Sequence, residues 1–118
     1  MSELAKVLEN FCRLDGVQGA LVVDSNGSVL GDFAPGMTNL GSVVEVVTRS
    51  LAMGRQVADD LGKSPVNHQY LEFSQMQITS EVLNHQRVLV VCAKAGANLG
   101  RIRLEIKKTK PDVEKLLT

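Results

Sequence analysis

Two short apolar runs constrain the fold of this chain more than any other feature of its sequence. One is Ala20–Val23, the core of a longer run from Val17 to Val23, and the other is Val88–Ala93. Continuous apolar runs of this kind suit β-strands that are covered on both faces. Two such strands are expected to lie side by side in the middle of a sheet. The chain is therefore predicted to fold as an α/β structure.

Helical spacing of apolar residues and turn-forming pairs divide the rest of the chain into elements. Ser2 is expected to cap the first helix, Gly62 to end the second, and Pro111 to kink or restart the last. In order, the predicted elements are a helix up to about Leu14, strands Val17–Val23 and Val29–Phe33, a helix from Thr38 or Asn39 to Leu61, strands Gln69–Phe73, Met76–Val82 and Val88–Ala93, and a helix from about Asn98.

This order of elements predicts a single domain over residues 1–118, with a five-stranded and mostly antiparallel sheet. The hairpin places the second strand beside the first, and the meander of the last three strands places the fourth beside the fifth. The predicted strand order is therefore 2-1-5-4-3, with the first and third helices on one face and the second helix on the other. The third strand is left as an uncovered edge.

The predicted second helix carries more apolar residues than packing on one sheet requires. At about 100° per residue they cover about half of its circumference, opposite a polar face that includes Glu45, Arg49 and Asp59. The excess and the uncovered edge together predict a C2 dimer, with sheets joined edge to edge and long helices side by side. A monomer with a well-buried helix is the alternative. The residues predicted at the dimer interface are Val43, Val46, Val47, Leu51, Met53, Tyr70, Leu71 and Phe73.

Composition and charge exclude several classes of function. Thirteen basic and thirteen acidic side chains give a formal charge of zero, and aromatic residues make up 3% of the chain. Nucleic-acid binding is therefore not expected, since neither a basic field nor a stacking platform is available. No apolar segment approaches the roughly 20 residues of a membrane span, and no signal peptide is recognised. With two isolated cysteines, Cys12 and Cys92, the chain is expected to be cytoplasmic and its thiols reduced.

The polar residues do not form a recognisable catalytic or metal-binding set. Asp24 and Asp32 flank the Asn26-Gly27 turn, but a calcium loop needs more oxygen ligands. Asp24 is therefore expected to accept backbone hydrogen bonds within the turn. His68 and His85 lack metal-binding spacing and are expected to be solvated, at a strand end and in a turn. The chain is predicted to be no enzyme, with no catalytic residue, no metal ligand and no cofactor.

Two further features have a functional and a structural interpretation. Gly96–Gly100 precedes the last helix and could offer N–H groups to an anion, but an N-cap at Asn98 is favoured. Cys92 lies in a Val-rich strand and is interpreted as a small hydrophobic residue. A hydrolase that uses Cys92 is disfavoured, because no base and oxyanion donor accompany the thiol.

Three segments of the chain resemble the Roadblock/LC7 family. They are LDGVQGALVVDSNGSVLG at Leu14–Gly31, the apolar-rich second helix, and VLVVCAKAGANLGRIRLEI at Val88–Ile106. The first is similar to the family's helix end, Gly-containing first strand and Asp-x-x-Gly turn. The last is similar to its apolar fifth strand, NLG helix start and arginine-bearing third helix. The resemblance extends over nearly the whole chain.

The resemblance implies a profilin-like α-β-α sandwich that dimerises, with itself or with a related chain, through its second helix and third strand. Such dimers are non-enzymatic platforms, and this one is implied to bind and regulate or scaffold a small Ras-like GTPase. The family has no obligatory arginine finger, so no arginine is implied to be catalytic. The partner-binding surface implied on the second helix consists of Glu45, Thr48, Arg49, Ala52 and Gln56.

A small-molecule sensor or signalling adaptor is the alternative function, because profilin-like sandwiches are close in shape to small sensor domains. This alternative predicts a cavity between the sheet and a helix. Its lining would include Phe33, Met53 and Met76.

Overall fold

The computed structural model describes residues 1–63 and 65–117. Short 3₁₀ turns at Asn10–Arg13 and Asn84–Gln86 follow the first helix and join the last two strands. The helices and strands are α1 (Glu3–Glu9), β1 (Val17–Val23), β2 (Val29–Phe33), α2 (Leu40–Leu61), β3 (His68–Glu72), β4 (Met76–Val82), β5 (Val88–Lys94) and α3 (Leu99–Leu117).

The five strands form one sheet with the order β2-β1-β5-β4-β3, which confirms the predicted topology. Every pairing is antiparallel, including the central one, in which Leu21 of β1 lies opposite Val90 of β5. β2 and β3 are the two edges. β1 and β5 have strands on both sides and helices above and below, which explains why their segments Ala20–Val23 and Val88–Ala93 are continuously apolar.

Alternate residues of the central strands enter two separate hydrophobic cores. On one face, Leu89 of β5 packs in a cluster with Leu8 of α1 and Ile102 of α3. On the other face, Val90 packs in a cluster with Val47 of α2. Burying each of these side chains stabilises the fold by about 1.5–3 kcal/mol relative to leaving it exposed. The predicted placement of α1 and α3 on one face and α2 on the other is confirmed.

Local capping explains where the first helix begins and where the second helix ends. The Ser2 hydroxyl accepts a hydrogen bond of 3.0 Å from the Ala5 backbone N–H, as expected of an N-cap. Gly62 follows α2 in the left-handed conformation, with φ 65°, and its N–H donates to the Asp59 carbonyl. Both predicted caps are therefore confirmed.

The last helix differs from the prediction at Pro111. α3 is one helix from Leu99 to Leu117, so Pro111 does not restart it. Proline removes the hydrogen bond that the Lys107 carbonyl would otherwise accept. Lys107 and Pro111 are both exposed, so water can replace that bond. The predicted N-cap is confirmed, since the Asn98 side chain accepts a 3.1 Å hydrogen bond from the Arg101 N–H.

Candidate functional site

The middle of the apolar band on α2 faces the protein's own sheet. Val43, Val47 and Leu51 are 3%, 0% and 3% exposed and pack against β1 and β5 residues such as Leu21 and Val90. These three residues were predicted at a dimer interface, but the structure places them inside one protomer. Their predicted place at the interface is therefore wrong, because the sheet of the same protomer already covers the centre of the apolar band on α2.

One flank of α2 remains apolar and exposed. Met53, Val57 and Leu61 are 70%, 55% and 64% exposed, and Val46 is half-buried in line with them. Residues at these spacings lie on one side of a helix. Val57 and Leu61 belong to the apolar band of the second helix but are not among the residues predicted at the interface. Their helical spacing from Met53 is the signal that could have identified them.

The edge strand β3 lies beside this flank. The Gln69 side chain donates a 3.0 Å hydrogen bond to the Ser50 carbonyl and accepts one of 3.0 Å from the Ser50 hydroxyl. Gly54 makes this approach possible, since a Cβ there would lie 2.5 Å from the Gln69 amide nitrogen. Phe73, just after β3, lines an open groove of about 430 Å³ together with Val46. The helix flank and the strand edge thus form one continuous surface.

We call this the α2–β3 surface. β3 pairs with β4 alone among the described strands, so its outer backbone groups have no strand partner there. Tyr70 and Leu71 are half-buried, whereas Phe73 is 46% exposed. The residues of the surface are Val46, Met53, Val57, Leu61, Leu71 and Phe73. Tyr70, predicted with them, follows His68 by two residues in β3, so strand alternation directs its side chain to the α3 face of the sheet.

The predicted partner-binding residues lie on the outer face of α2. Glu45, Arg49, Ala52 and Gln56 are exposed, and the Glu45 carboxylate lies 3.5 Å from the Arg49 guanidinium. The Thr48 hydroxyl donates a 2.8 Å hydrogen bond to the Val44 carbonyl one turn earlier. The Thr48 hydroxyl proton is therefore already used in a hydrogen bond within the helix, while the other four side chains are exposed to solvent.

The residues first considered for chemistry have structural roles. An Asp24 carboxylate oxygen accepts hydrogen bonds from the Asn26 and Ser28 backbone N–H groups at 2.9 and 3.0 Å, which confirms its role in the turn. Cys92 is fully buried, and burial raises the pKa of its thiol to about 12, so the thiol stays protonated. Within residues 1–63 and 65–117, no three His, Cys, Asp or Glu side chains are grouped to hold a metal ion. No helix in that part of the chain could cross a membrane.

His68 differs from its prediction as a solvated strand-end residue. It is half-buried, and its Nδ1 lies 2.8 Å from a carboxylate oxygen of Glu81. The other Glu81 oxygen accepts a 3.1 Å hydrogen bond from the Lys110 ammonium. These contacts connect β3, β4 and α3, and no motif or spacing in the sequence indicates them. His85, in contrast, is exposed in its turn.

The three residues named for a sensor cavity do not meet. Phe33 packs with the α1 and α3 cluster, Met76 packs with the α2 cluster on the opposite face of the sheet, and Met53 is exposed. The predicted shared cavity is therefore wrong. The sheet separates Phe33 from Met76, and Met53 points into solvent.

The fold and the surface together define a class of protein, a three-layer α-β-α sandwich with an open strand edge beside an exposed apolar helix flank. A sequence model of the Roadblock/LC7 domain matches residues 3–93, and the chain belongs to this family. The matched part ends in β5, so α3 lies beyond it.

Relatives in sequence and in structure cover most of the chain. The protein MJ0714 of Methanocaldococcus jannaschii is 28% identical over 107 residues, which cover 91% of this chain and 90% of the relative. MglB of Myxococcus xanthus superposes with a TM-score of 0.86 at 19% identity, covering 99% of this chain and 96% of MglB. A Roadblock/LC7 domain from Streptomyces avermitilis gives 0.87 at 16% identity, covering 98% of both chains. These low-identity structures establish a shared fold that includes α3.

Proposed function

We propose that the chain is a non-enzymatic module that dimerises through the α2–β3 surface and binds a small Ras-like GTPase, which it regulates or scaffolds. The observation that carries this proposal is the exposed apolar flank of α2 in line with the open edge of β3. Pairing two copies about a twofold axis would extend the sheet and bury Met53, Val57 and Leu61 against the partner. A related Roadblock chain in place of the second copy gives the heterodimeric form.

The GTPase half of the proposal is supported by family membership and by the polar outer face of α2. When two α2 flanks meet, Glu45, Arg49, Ala52 and Gln56 of each copy remain outward and side by side. Such a polar surface with a small apolar residue suits a partner that binds reversibly. Its charges can steer association, and no large apolar area has to be buried when the complex forms.

Sedimentation velocity at micromolar concentration tests the dimer. We expect the wild-type chain to sediment as a dimer and the double variant Met53→Glu, Val57→Glu as a folded monomer. Each new carboxylate would otherwise be buried without a partner. Ala52→Glu with Gln56→Glu is the matched control, with the same two added carboxylates on the same helix but on its exposed outer face, and it stays dimeric. A wild-type chain that sediments only as a monomer contradicts the dimer.

Binding to a small Ras-like GTPase of the same organism tests the second half, with the GTPase loaded with GDP or with a GTP analogue. We expect binding to one of these forms by the wild-type chain. Reversing both charges of the outer pair, Glu45→Lys with Arg49→Glu, should weaken it by about tenfold while the dimer persists. Equal binding by wild type and variant would assign the GTPase to another surface, and no binding to any GTPase form would remove this function.

A further inference from the structure

A second surface lies on the opposite face of the sheet from α2. It is a groove of about 620 Å³ between α3 and the edge formed by β3 and β4. Its α3 wall contains Arg103, Leu104, Lys107 and Pro111, and its sheet wall contains His68 and Glu81. Arg103, Leu104, Lys107 and Pro111 recur at helical spacing and form a single stripe along α3.

The carboxylates in and beside this groove already have partners. One carboxylate oxygen of Glu81 is in hydrogen-bond contact with His68, and the other accepts a hydrogen bond from Lys110. A Glu114 oxygen accepts a 2.8 Å hydrogen bond from the Asn84 backbone N–H. On the neighbouring face of α3, a Glu105 oxygen accepts one from the Thr109 hydroxyl. These acids are therefore held in local hydrogen bonds. The groove lining has three cations, Arg103, Lys107 and Lys110, against the carboxylates of Glu81 and Glu114, which leaves an excess of positive charge.

The cations of the stripe lack such partners. Within the described residues, neither Arg103 nor Lys107 lies in an ion pair, and both side chains are exposed. The charge of α3 as a whole is also asymmetric. α3 carries six basic and three acidic side chains, whereas the rest of the chain carries seven and ten. The protein therefore has zero net charge although its helix α3 is basic.

An apolar side chain stands between the two cations. Leu104 is 69% exposed, because it follows the buried Ile102 by two residues and therefore lies on the opposite side of the helix. Pro111 is exposed further along the stripe, and the carbons of its ring add apolar surface there. The groove therefore combines two unpaired positive charges with an apolar strip, within a single protomer.

We propose that this groove binds an acidic peptide segment of a partner protein, with carboxylates at Arg103 and Lys107 and an apolar side chain on Leu104 and Pro111. Charge complementarity selects the acidic chemistry, and the concave apolar strip selects a peptide over a flat surface. Nucleic acid and anionic membranes bind through larger numbers of cations than this groove presents. The groove requires neither the dimer nor the GTPase of the proposed function.

Fluorescence anisotropy with a defined probe tests the proposal. The probe is a short fluorescein-labelled peptide of Glu and Leu at helical spacing, and its counterpart has Gln at every Glu. We expect the full-length chain to bind the Glu peptide and not the Gln peptide. Arg103→Glu with Lys107→Glu should weaken binding about tenfold, because both ionic contacts become repulsive. Leu104→Ser should weaken binding without a change of net charge.

Arg101→Glu with Lys108→Glu is the matched control. It makes the same change of charge on exposed positions of α3, but these residues line other hollows, at the start of α3 and toward α1. Charge outside the groove is screened at physiological salt, so this variant should keep nearly wild-type affinity. Equal losses in the two double variants would overturn the proposal, as would absence of binding by the folded wild-type chain.

Two further measurements distinguish other occupants. If phosphatidylserine vesicles retain the wild-type chain but not the Arg103→Glu, Lys107→Glu variant, the groove belongs to a membrane surface and the peptide proposal fails. If sedimentation velocity shows that this variant alone loses a larger species, the occupant is a second copy. The expected result is no vesicle retention and an unchanged sedimentation coefficient. Thermal unfolding of both double variants establishes that they are folded.

Discussion

At the scale of single residues, glycines decide how closely elements can approach the sheet. Gly19 lies in β1 under the segment that leaves β2. A Cβ at this position would lie 2.7 Å from the Ala34 Cβ and 2.8 Å from the Ala34 Cα. Because the second contact is with backbone, no side-chain rotation relieves it. The close crossing of this segment over β1 thus depends on the missing side chain of one residue.

Gly19→Ala should therefore lower the free energy of unfolding by about 1–3 kcal/mol, the usual cost of overpacking a closely packed site. Gly41→Ala is the control, since no atom lies within 4 Å of a Cβ there and the residue is in α2. The control should be stabilised by up to about 1 kcal/mol, because alanine favours the helix. Urea unfolding of both variants checks the prediction, and equal stabilities would show that Ala34 can move away.

The residue scale is also where the sequence was least informative. The contacts of Glu81 with His68 and with Lys110 join residues that are distant in sequence, and none of the three belongs to a spaced motif. Only the register of β3 on β4, with His68 opposite Glu81, brings these side chains together. Asp24, in contrast, bonds to residues two and four positions away, so its role could be predicted from turn chemistry alone.

At the scale of elements, local patterns were sufficient to place the strands. β1, β2 and β4 have their predicted bounds, since turn residues limit them and their side-chain periodicity is local. β3 is displaced by one residue and ends at Glu72, because Phe73 already belongs to the turn, where its N–H donates to the Met76 carbonyl. For α2, periodicity gave the apolar band but not its orientation. Which part faces the sheet depends on how the helix crosses β1 and β5.

A prediction at this scale concerns the proline in α3. Pro111→Ala should raise the free energy of unfolding by about 1 kcal/mol or more, because alanine restores the hydrogen bond to the Lys107 carbonyl. Asp112→Ala, at the exposed neighbouring position, should change it by about 0.5 kcal/mol or less. Chemical denaturation gives both values. A less stable Pro111→Ala variant would mean that the proline ring makes packing contacts more valuable than the lost hydrogen bond.

At the scale of the whole molecule, the sheet separates two surfaces. The α2–β3 surface and the outer face of α2 lie on one side, and the basic groove of α3 lies on the other. The overall topology could be predicted because two apolar strands have to share the centre of the sheet. The groove could not, since the sequence shows Lys107, Lys108 and Lys110 as an ordinary solvated cluster until α3 is placed against β3 and β4.

If the dimer forms as proposed, the free energy of unfolding of each chain depends on its association with the partner. The melting temperature of the wild-type chain should then rise with protein concentration, because association stabilises the folded state by mass action. That of the Met53→Glu, Val57→Glu variant should not depend on concentration. Differential scanning calorimetry over a wide concentration range provides the measurement. A wild-type melting temperature that does not change would argue against the α2–β3 dimer.

The lengths of the strands have a consequence for solubility. The inner strands β1, β4 and β5 have seven residues each, whereas the edge strands β2 and β3 have five. An edge this short offers few backbone hydrogen bonds to an intruding chain, so fibrous polymerisation through either edge is disfavoured. Lasting association at β3 requires a partner that also matches the apolar flank of α2. The open edge can therefore remain accessible in a crowded cell without collecting misfolded chains.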